Sequence, residues 1–348
     1  MRIRTNRQRA LLARSLLLFL VSAFFTLSTT LMSCSGPSSQ GQTAAEPAKP
    51  KIVRLGYQKS NILVKSRGVL EKRLPPQGIS VEWTEFQAGP PLLEALNVGS
   101  IDIGPTGESP PIFAQAAGTN LVYVAAVQPS PKGQGILVPK ESPIRSVSEL
   151  KGKKIAFTKA SSAHYLLVSA LKGAGLEYSD IEPVFLSPAD ARAAFLRGSV
   201  DAWVVWDPFF AAAEGTGNAR VLLTGITKQG GYYLASRTFV EQNPNLLKDL
   251  LEGIDEVGQW ADTHPEEVAK ILSPVLGIDL PIAETMAKRR FNSLRPIDNQ
   301  LITLQQQVAD TYFDLKLLPK PLNIRDATLA PEQYASITPE SVTQKHGS

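Results

Sequence analysis

Three short segments of this 348-residue chain place hydrogen-bonding side chains directly after runs that read as strands. They are Thr106-Gly107-Glu108-Ser109-Pro110, Ala160-Ser161-Ser162-Ala163-His164 and Asp207-Pro208. Each reads as the start of a helix. The first N–H groups of a helix lack internal partners and carry a partial positive charge. Two such ends facing one cleft can hold a small oxyanion without a dedicated arginine. Gly107 would let a ligand approach the backbone, and the hydroxyls of Thr106, Ser161 and Ser162 could donate to it. Helix capping explains any one of these starts taken alone. Their mirrored placement in two successive units favours binding.

Aromatic residues supply candidate walls. Trp206 ends a strand and can line a pocket, whereas Trp203 lies within the same strand and reads as core. Tyr57, with Gln58 beside it, ends the first strand, and Tyr232 and Tyr233 sit on a later one. Such walls suit an apolar substituent on a charged head. His164 reads as a packing or supporting residue rather than a catalyst.

Other chemistries fail. No G-x-x-x-x-G-K-[ST] occurs, so the chain is not an ATPase of that kind. Gly215-Thr216-Gly217 lacks the third glycine of a dinucleotide fingerprint. His164, His264 and His346 are widely separated, so neither a metal nor any other cofactor is expected. No G-x-S-x-G is present. Ser162 and His164 do not share a helix face, which weakens a Ser/His pairing.

The elements that must position these residues alternate. Strands are expected at 52–57, 79–86, 101–104 and 121–127, with helices at 62–73, 89–98 and 110–117 between them. A second series has strands at 135–139, 154–157, 181–186, 202–205 and 231–236. Its helices start at Ser161 or Ser162, at Ser187-Pro188 and at Asp207-Pro208. The phrase Gly99-Ser100-Ile101-Asp102 returns as Gly198-Ser199-Val200-Asp201, each copy closing a helix and feeding a strand. Beyond Thr238 the pattern is helical only, at 244–263, 265–272, 281–291 and 298–315, and the tail after Ile324 reads as loosely ordered. The expected fold is α/β, two lobes around a ligand cleft with mostly parallel sheets. Residues 52–135 and 233–348 would form lobe I, and 136–232 lobe II.

The first 33 residues read as a lipoprotein signal peptide. Arg2, Arg4, Arg7, Arg9 and Arg14 precede an apolar run from Leu16 to Leu31, and no acidic residue comes before Cys34. Leu31-Met32-Ser33-Cys34 resembles a bacterial lipobox, with Cys34 the lipidated residue. Residues 34–51, rich in Ser, Gly, Gln, Ala and Pro, form a flexible tether. Without the five signal arginines, 31 basic residues face 32 acidic ones, which removes the electrostatic case for nucleic acid. A single cysteine allows no internal disulfide.

These segments resemble a known family, the substrate-binding proteins of ABC importers, and within it the aliphatic sulfonate-binding branch. The resemblance runs from Ile52 to Arg325 and is carried by Leu55-Gly56-Tyr57-Gln58-Lys59, Glu85-Phe86-Gln87-Ala88-Gly89-Pro90, Thr106-Gly107, Ser187-Pro188-Ala189-Asp190 and Trp206-Asp207-Pro208. It implies a type II periplasmic-binding-protein fold, a small organic sulfonate as ligand and no enzymatic activity. It also implies permease subunits with a separate ATPase as partners, and a monomer held by its lipid anchor at the periplasmic or extracytoplasmic face. The ligand-binding residues implied are Gln58, Thr106, Gly107, Glu108, Ser161, Ser162, His164, Trp206, Asp207 and Tyr232. Glu108 stands where the family usually has Asp, and Ala160 where it usually has Gly. Taurine, whose ammonium Glu108 or Asp207 could meet, nitrate and pyrimidine precursors are alternatives on the same fold. An extracytoplasmic enzyme using His164 as base is the alternative of a different class.

Overall fold

The repeated aspartates explain how each half is stapled. Asp102 Oδ2 accepts from the backbone N–H of Arg54 at 2.8 Å, and the backbone N–H of Asp102 donates to the Arg54 carbonyl at 2.8 Å. In the second copy, Asp201 Oδ2 accepts from the N–H of Lys154 at 2.8 Å, and the Asp201 N–H donates to the Lys154 carbonyl at 2.8 Å. Gly99 and Gly198 turn the chain before each phrase at φ 72° and 69°, in the left-handed region that glycine enters freely. Each phrase thus ties the start of a new strand to the parallel strand beside it.

The computed structural model describes residues 51–346. The expected signal segment, Cys34 and nearly all of the tether lie outside the described residues. Eleven strands form two sheets. They are β1 (Ile52–Tyr57), β2 (Ser80–Glu85), β3 (Ile103–Thr106), β4 (Leu121–Val127), β5 (Gln134–Pro139) and β6 (Lys154–Phe157). The remainder are β7 (Glu182–Phe185), β8 (Ala202–Trp206), β9 (Ala219–Thr224), β10 (Tyr232–Ser236) and β11 (Leu294–Arg295). The first sheet has the order β11-β4-β10-β3-β1-β2 and the second β7-β6-β8-β5-β9. Leaving β11 aside, the two orders match strand for strand. In each sheet a parallel trio stands next to one antiparallel strand, β10 in the first and β5 in the second.

Strand alternation builds an apolar layer on both faces of each sheet. On β4, Val122 and Val124 enter one core, while Leu121 and Tyr123 enter the opposite one. On β8, Ala202 and Val204 face one side, Trp203 and Val205 the other. Trp203 is therefore core, as its position within the strand indicates.

Several elements differ from the sequence expectation. The helix expected over 62–73 is two short helices, Leu63–Arg67 and Leu70–Arg73, separated by Gly68 at φ 61°. Strands β9 and β11 were not expected: β9 has a half-buried face throughout, and β11 is only two residues long. The sheets are mixed because β10 and β5 enter antiparallel. The tail after Ile324 is ordered as far as it is described, to His346. Ile324, Leu329, Ile337 and Val342 bury themselves against the cores, with helices at Pro331–Ile337 and Glu340–His346. Apolar residues spaced among polar ones escaped the compositional reading.

Loss of a staple should cost stability without touching the cleft. Asp102 also binds the Arg54 guanidinium at 2.7 and 3.2 Å, so Asp102→Ala should lower the unfolding free energy by about 1.5–3 kcal/mol, as for hydrogen bonds to charged groups. Asp201→Ala should cost about 1 kcal/mol. Urea denaturation measures both, and ligand affinity should stay within about twofold because the cleft is remote.

Candidate functional site

The two expected helix starts meet across a cleft. β3 ends at Thr106 and the helix Ser109–Ala116 begins behind Glu108; β6 leads through Ala160 and Ser161 into the helix Ser162–Gly173. A Cβ placed on Gly107 would lie 1.9 Å from Ser162 Oγ and 3.1 Å from Ser162 Cβ, so the two halves touch here. A side chain at 107 would have to displace the Ser162 hydroxyl.

The approach closes a cavity of about 130 Å³. Eight of the ten ligand candidates line it: Gln58, Thr106, Gly107, Glu108, Ser161, Ser162, Trp206 and Asp207. Gln58 is buried, and its amide donates to the Pro105 carbonyl at 2.9 Å, fixing the end of β3. Ser161 Oγ donates to the Thr158 carbonyl at 2.7 Å. The Ser162 hydroxyl, from the opposite half, lies near enough to the Glu108 carboxyl to favour its ionised form. Burial pushes the Glu108 carboxyl up to about 7, against the opposing effect of its own backbone N–H, Ser162 and Ser109.

Asp207 lines the cavity, yet its carboxylate is committed. Arg289 Nη2 donates to Oδ1 at 2.7 Å and Nε to Oδ2 at 2.9 Å, while the Ala211 N–H donates to Oδ1 at 3.0 Å. A ligand ammonium would have to compete with a bidentate guanidinium for it.

Two of the ten candidates stand away from the cavity. His164 is fully buried. Its Nδ1 accepts from the Ala160 N–H at 3.3 Å, leaving Nε2 to donate to Tyr178 Oη at 3.2 Å. The ring packs 5.0 Å from Phe157 and 5.3 Å from Tyr312. Burial, helped by Lys159, pulls its pKa down to about 4, so it is neutral at ordinary pH. Ala160 holds φ 60° without being glycine, and the His164 bond secures its N–H; His164 positions the serine turn. Tyr232 is buried on β10, edge-on to Tyr123 at 5.0 Å, and does not line the cavity either. Tyr57, considered as a wall, instead bonds Glu85 at 3.1 Å and Lys65 at 3.0 Å.

The sequence reading missed Arg290. It lines the cavity just after the helix Leu280–Lys288, and its Nε donates to Asn292 Oδ1 at 3.1 Å. Its neighbour Arg289 takes Asp207 and Glu214, and Arg290 forms no ion pair among the described residues. Burial pulls its pKa below the usual value, partly offset by Asp207, Tyr233 and Asp262. A half-buried guanidinium in a cavity wall can meet an anion. The available signal was the run Lys288-Arg289-Arg290-Phe291, three cations and an aromatic at an expected helix end. Gln128, Gln134, Gln229 and Phe291 also line the cavity and were missed, because loops outside the motif segments deliver most of them.

Two sheets of matching strand order with a cavity between their helix starts define a two-lobed binding protein of the periplasmic-binding-protein fold. The chain belongs to the NMT1/THI5-like family, whose profile matches residues 76–268. It is 45% identical over 295 residues to a protein of Escherichia coli K12 described as aliphatic sulfonates-binding, covering 83% of this chain and 92% of the relative. A protein of the same description from Bacillus subtilis 168 is 32% identical over 282 residues, covering 79% of this chain and 85% of the relative. Among solved structures, the alkanesulfonate-binding protein SsuA from Xanthomonas axonopodis pv. citri, bound to MOPS, superposes with a TM-score of 0.78 at 42% identity, covering 81% of this chain and 99% of that one.

The close approach at Gly107 is testable. Gly107→Ala should weaken ligand binding about tenfold or more by overpacking the closed cleft. Adding Ser162→Gly should restore part of the loss, since it removes both atoms that the new methyl meets. Titration calorimetry measures both; an unchanged affinity in Gly107→Ala would show that the halves need not close this far.

Proposed function

We propose that this protein is the extracytoplasmic substrate-binding component of an ABC importer, capturing small aliphatic sulfonates in the cleft and presenting them to permease subunits driven by a separate ATPase. The carrying observation is a single cavity that holds two helix starts from opposite halves together with the unpaired guanidinium of Arg290. A sulfonate spreads one charge over three oxygens, which suits donors arriving from several directions. Its organic part would lie against Trp206 and Phe291. A volume of about 130 Å³ favours a short chain over the drug-sized ligands of pockets near 300–1,000 Å³. The sulfonate relatives and a structural neighbour bound to MOPS, itself an organic sulfonate, support the reading.

Arg290, Thr106, Ser161, Ser162 and the Gly107 backbone would hold the sulfonate, with Gln58 and Asp207 supporting the walls. Ligand binding would favour the closed arrangement, the form that docks on the permease. Lipidation at Cys34 would hold the protein at the membrane surface; no helix among the described residues is long and apolar enough to cross a bilayer. No catalytic role falls to His164, which is buried away from the cavity and neutral.

Calorimetric titration with ethanesulfonate, butanesulfonate, taurine, nitrate and sulfate tests this function. Micromolar or tighter binding of at least one sulfonate, with sulfate and nitrate much weaker, is expected. Arg290→Gln should cost about 10–100-fold in sulfonate affinity, the range for a hydrogen-bonded charge partner. Absence of any sulfonate binding at millimolar concentration would overturn the proposal.

A further inference from the structure

Two ionisable side chains of the cavity have no ion-pair partner among the described residues. Of its charged lining residues, Asp207 is bound to Arg289, which leaves Arg290 and Glu108. Glu108 is 2% exposed and forms no ion pair among the described residues. Around it the protein offers neutral groups only. From its own helix comes Ser109 Oγ, at 3.5 Å; from the facing helix Ser162–Gly173 come Ser162 and Tyr165. The helix Asn299–Asp314 contributes Tyr312, and Gln305, whose amide donates to the Glu108 backbone carbonyl. β10 contributes Tyr232. Two atoms in this shell, Tyr232 Oη and Gln305 Oε1, are buried and have no partner.

These facts set a condition on what the cavity accepts. An ionised carboxylate only accepts hydrogen bonds, and it repels an anion sharing a small enclosed space. A protonated carboxyl can donate to a sulfonate oxygen. A ligand carrying a positive group reverses the preference, because its cation stabilises the carboxylate. Glu108 is also the carboxyl that remains free to meet such a cation, since Asp207 is occupied.

We propose, resting on the sulfonate reading above, that Glu108 sets its protonation to the charge of the ligand: the cleft takes up a proton with a purely anionic alkanesulfonate and does not with a zwitterionic aminosulfonate. Glu108 is then the residue that balances alkanesulfonates against taurine, and the balance shifts with pH. Burial has already brought the carboxyl to about 7, so either form is within easy reach. The sign follows directly. A bound anion raises the Glu108 pKa further, so affinity for an alkanesulfonate is full at acid pH and falls as pH rises through the pKa of the free protein. A bound ammonium lowers it, so taurine affinity holds or rises over the same interval.

The test is calorimetry of the protein with ethanesulfonate and with taurine at pH 7, in two sulfonate-free buffers of different ionisation enthalpy, where the slope of apparent enthalpy gives the protons exchanged. Uptake of about half a proton is expected for ethanesulfonate, because a carboxyl of pKa near 7 is half protonated beforehand. For taurine the expectation is no uptake, or a release. Between pH 7.5 and 8.5, ethanesulfonate affinity should fall by up to about tenfold while taurine affinity does not fall. In Glu108→Gln both differences should vanish. Equal proton exchange for the two ligands in the unmodified protein overturns this inference, as does a difference that persists in Glu108→Gln. The first of these readings needs no variant, so a misfolded Glu108→Gln does not shield the proposal. Binding of neither ligand would instead overturn the sulfonate reading itself.

Discussion

Everything at the cleft depends on the approach of two helix starts to within side-chain contact, and that approach depends on residue 107 having no side chain. With Ser162 Oγ occupying the place a Cβ would take, the N-terminal ends of the helices Ser109–Ala116 and Ser162–Gly173 come together at one small volume. Beside this contact lies Glu108, whose carboxyl is buried from the water that would otherwise keep it ionised. The geometry of the site thus follows from one steric allowance.

Such an approach is useful only if both starts are held still. The staples at Asp102 and Asp201 serve stability at the strand ends opposite the cleft, so the starts themselves are held by contacts beside it. His164 secures the Ala160 N–H in a backbone conformation that alanine tolerates poorly, and so fixes Ser161 and Ser162. The Arg289–Asp207 pair joins the end of β8 to the turn after the helix Leu280–Lys288, which also carries Arg290 to the cavity. Breaking that pair would leave a buried carboxylate without its partner, which is costlier than the pair is stabilising.

Much of this was legible in the sequence because it is local. Strand β4 and the helix Pro244–Thr263 run between the residues their patterns indicate, since alternation, helical spacing and flanking prolines are short-range signals. The helix starts at Thr106-Gly107 and Ser161-Ser162 were visible as capping chemistry, and they supply five of the eight candidates that line the cavity: Thr106, Gly107, Glu108, Ser161 and Ser162. What stayed hidden is tertiary. Arg290 reaches the cleft only because the C-terminal helices fold back over both halves, and no spacing rule links residue 290 to residue 107. Tyr232 and His164 carry polar atoms near the right segments, yet strand alternation and helix phase turn them into the cores. Asp207 was visible as a cap, but its capture by Arg289 depends on a contact 82 residues away.

A crystal structure with ethanesulfonate reads the position of the ligand head directly. The sulfur is expected between residues 106–108, Ser161–Ser162 and Arg290, with sulfonate oxygens within about 3 Å of backbone N–H groups from both helix starts. A sulfonate bound elsewhere, or held by one half alone with the Gly107–Ser162 contact open, would contradict that placement.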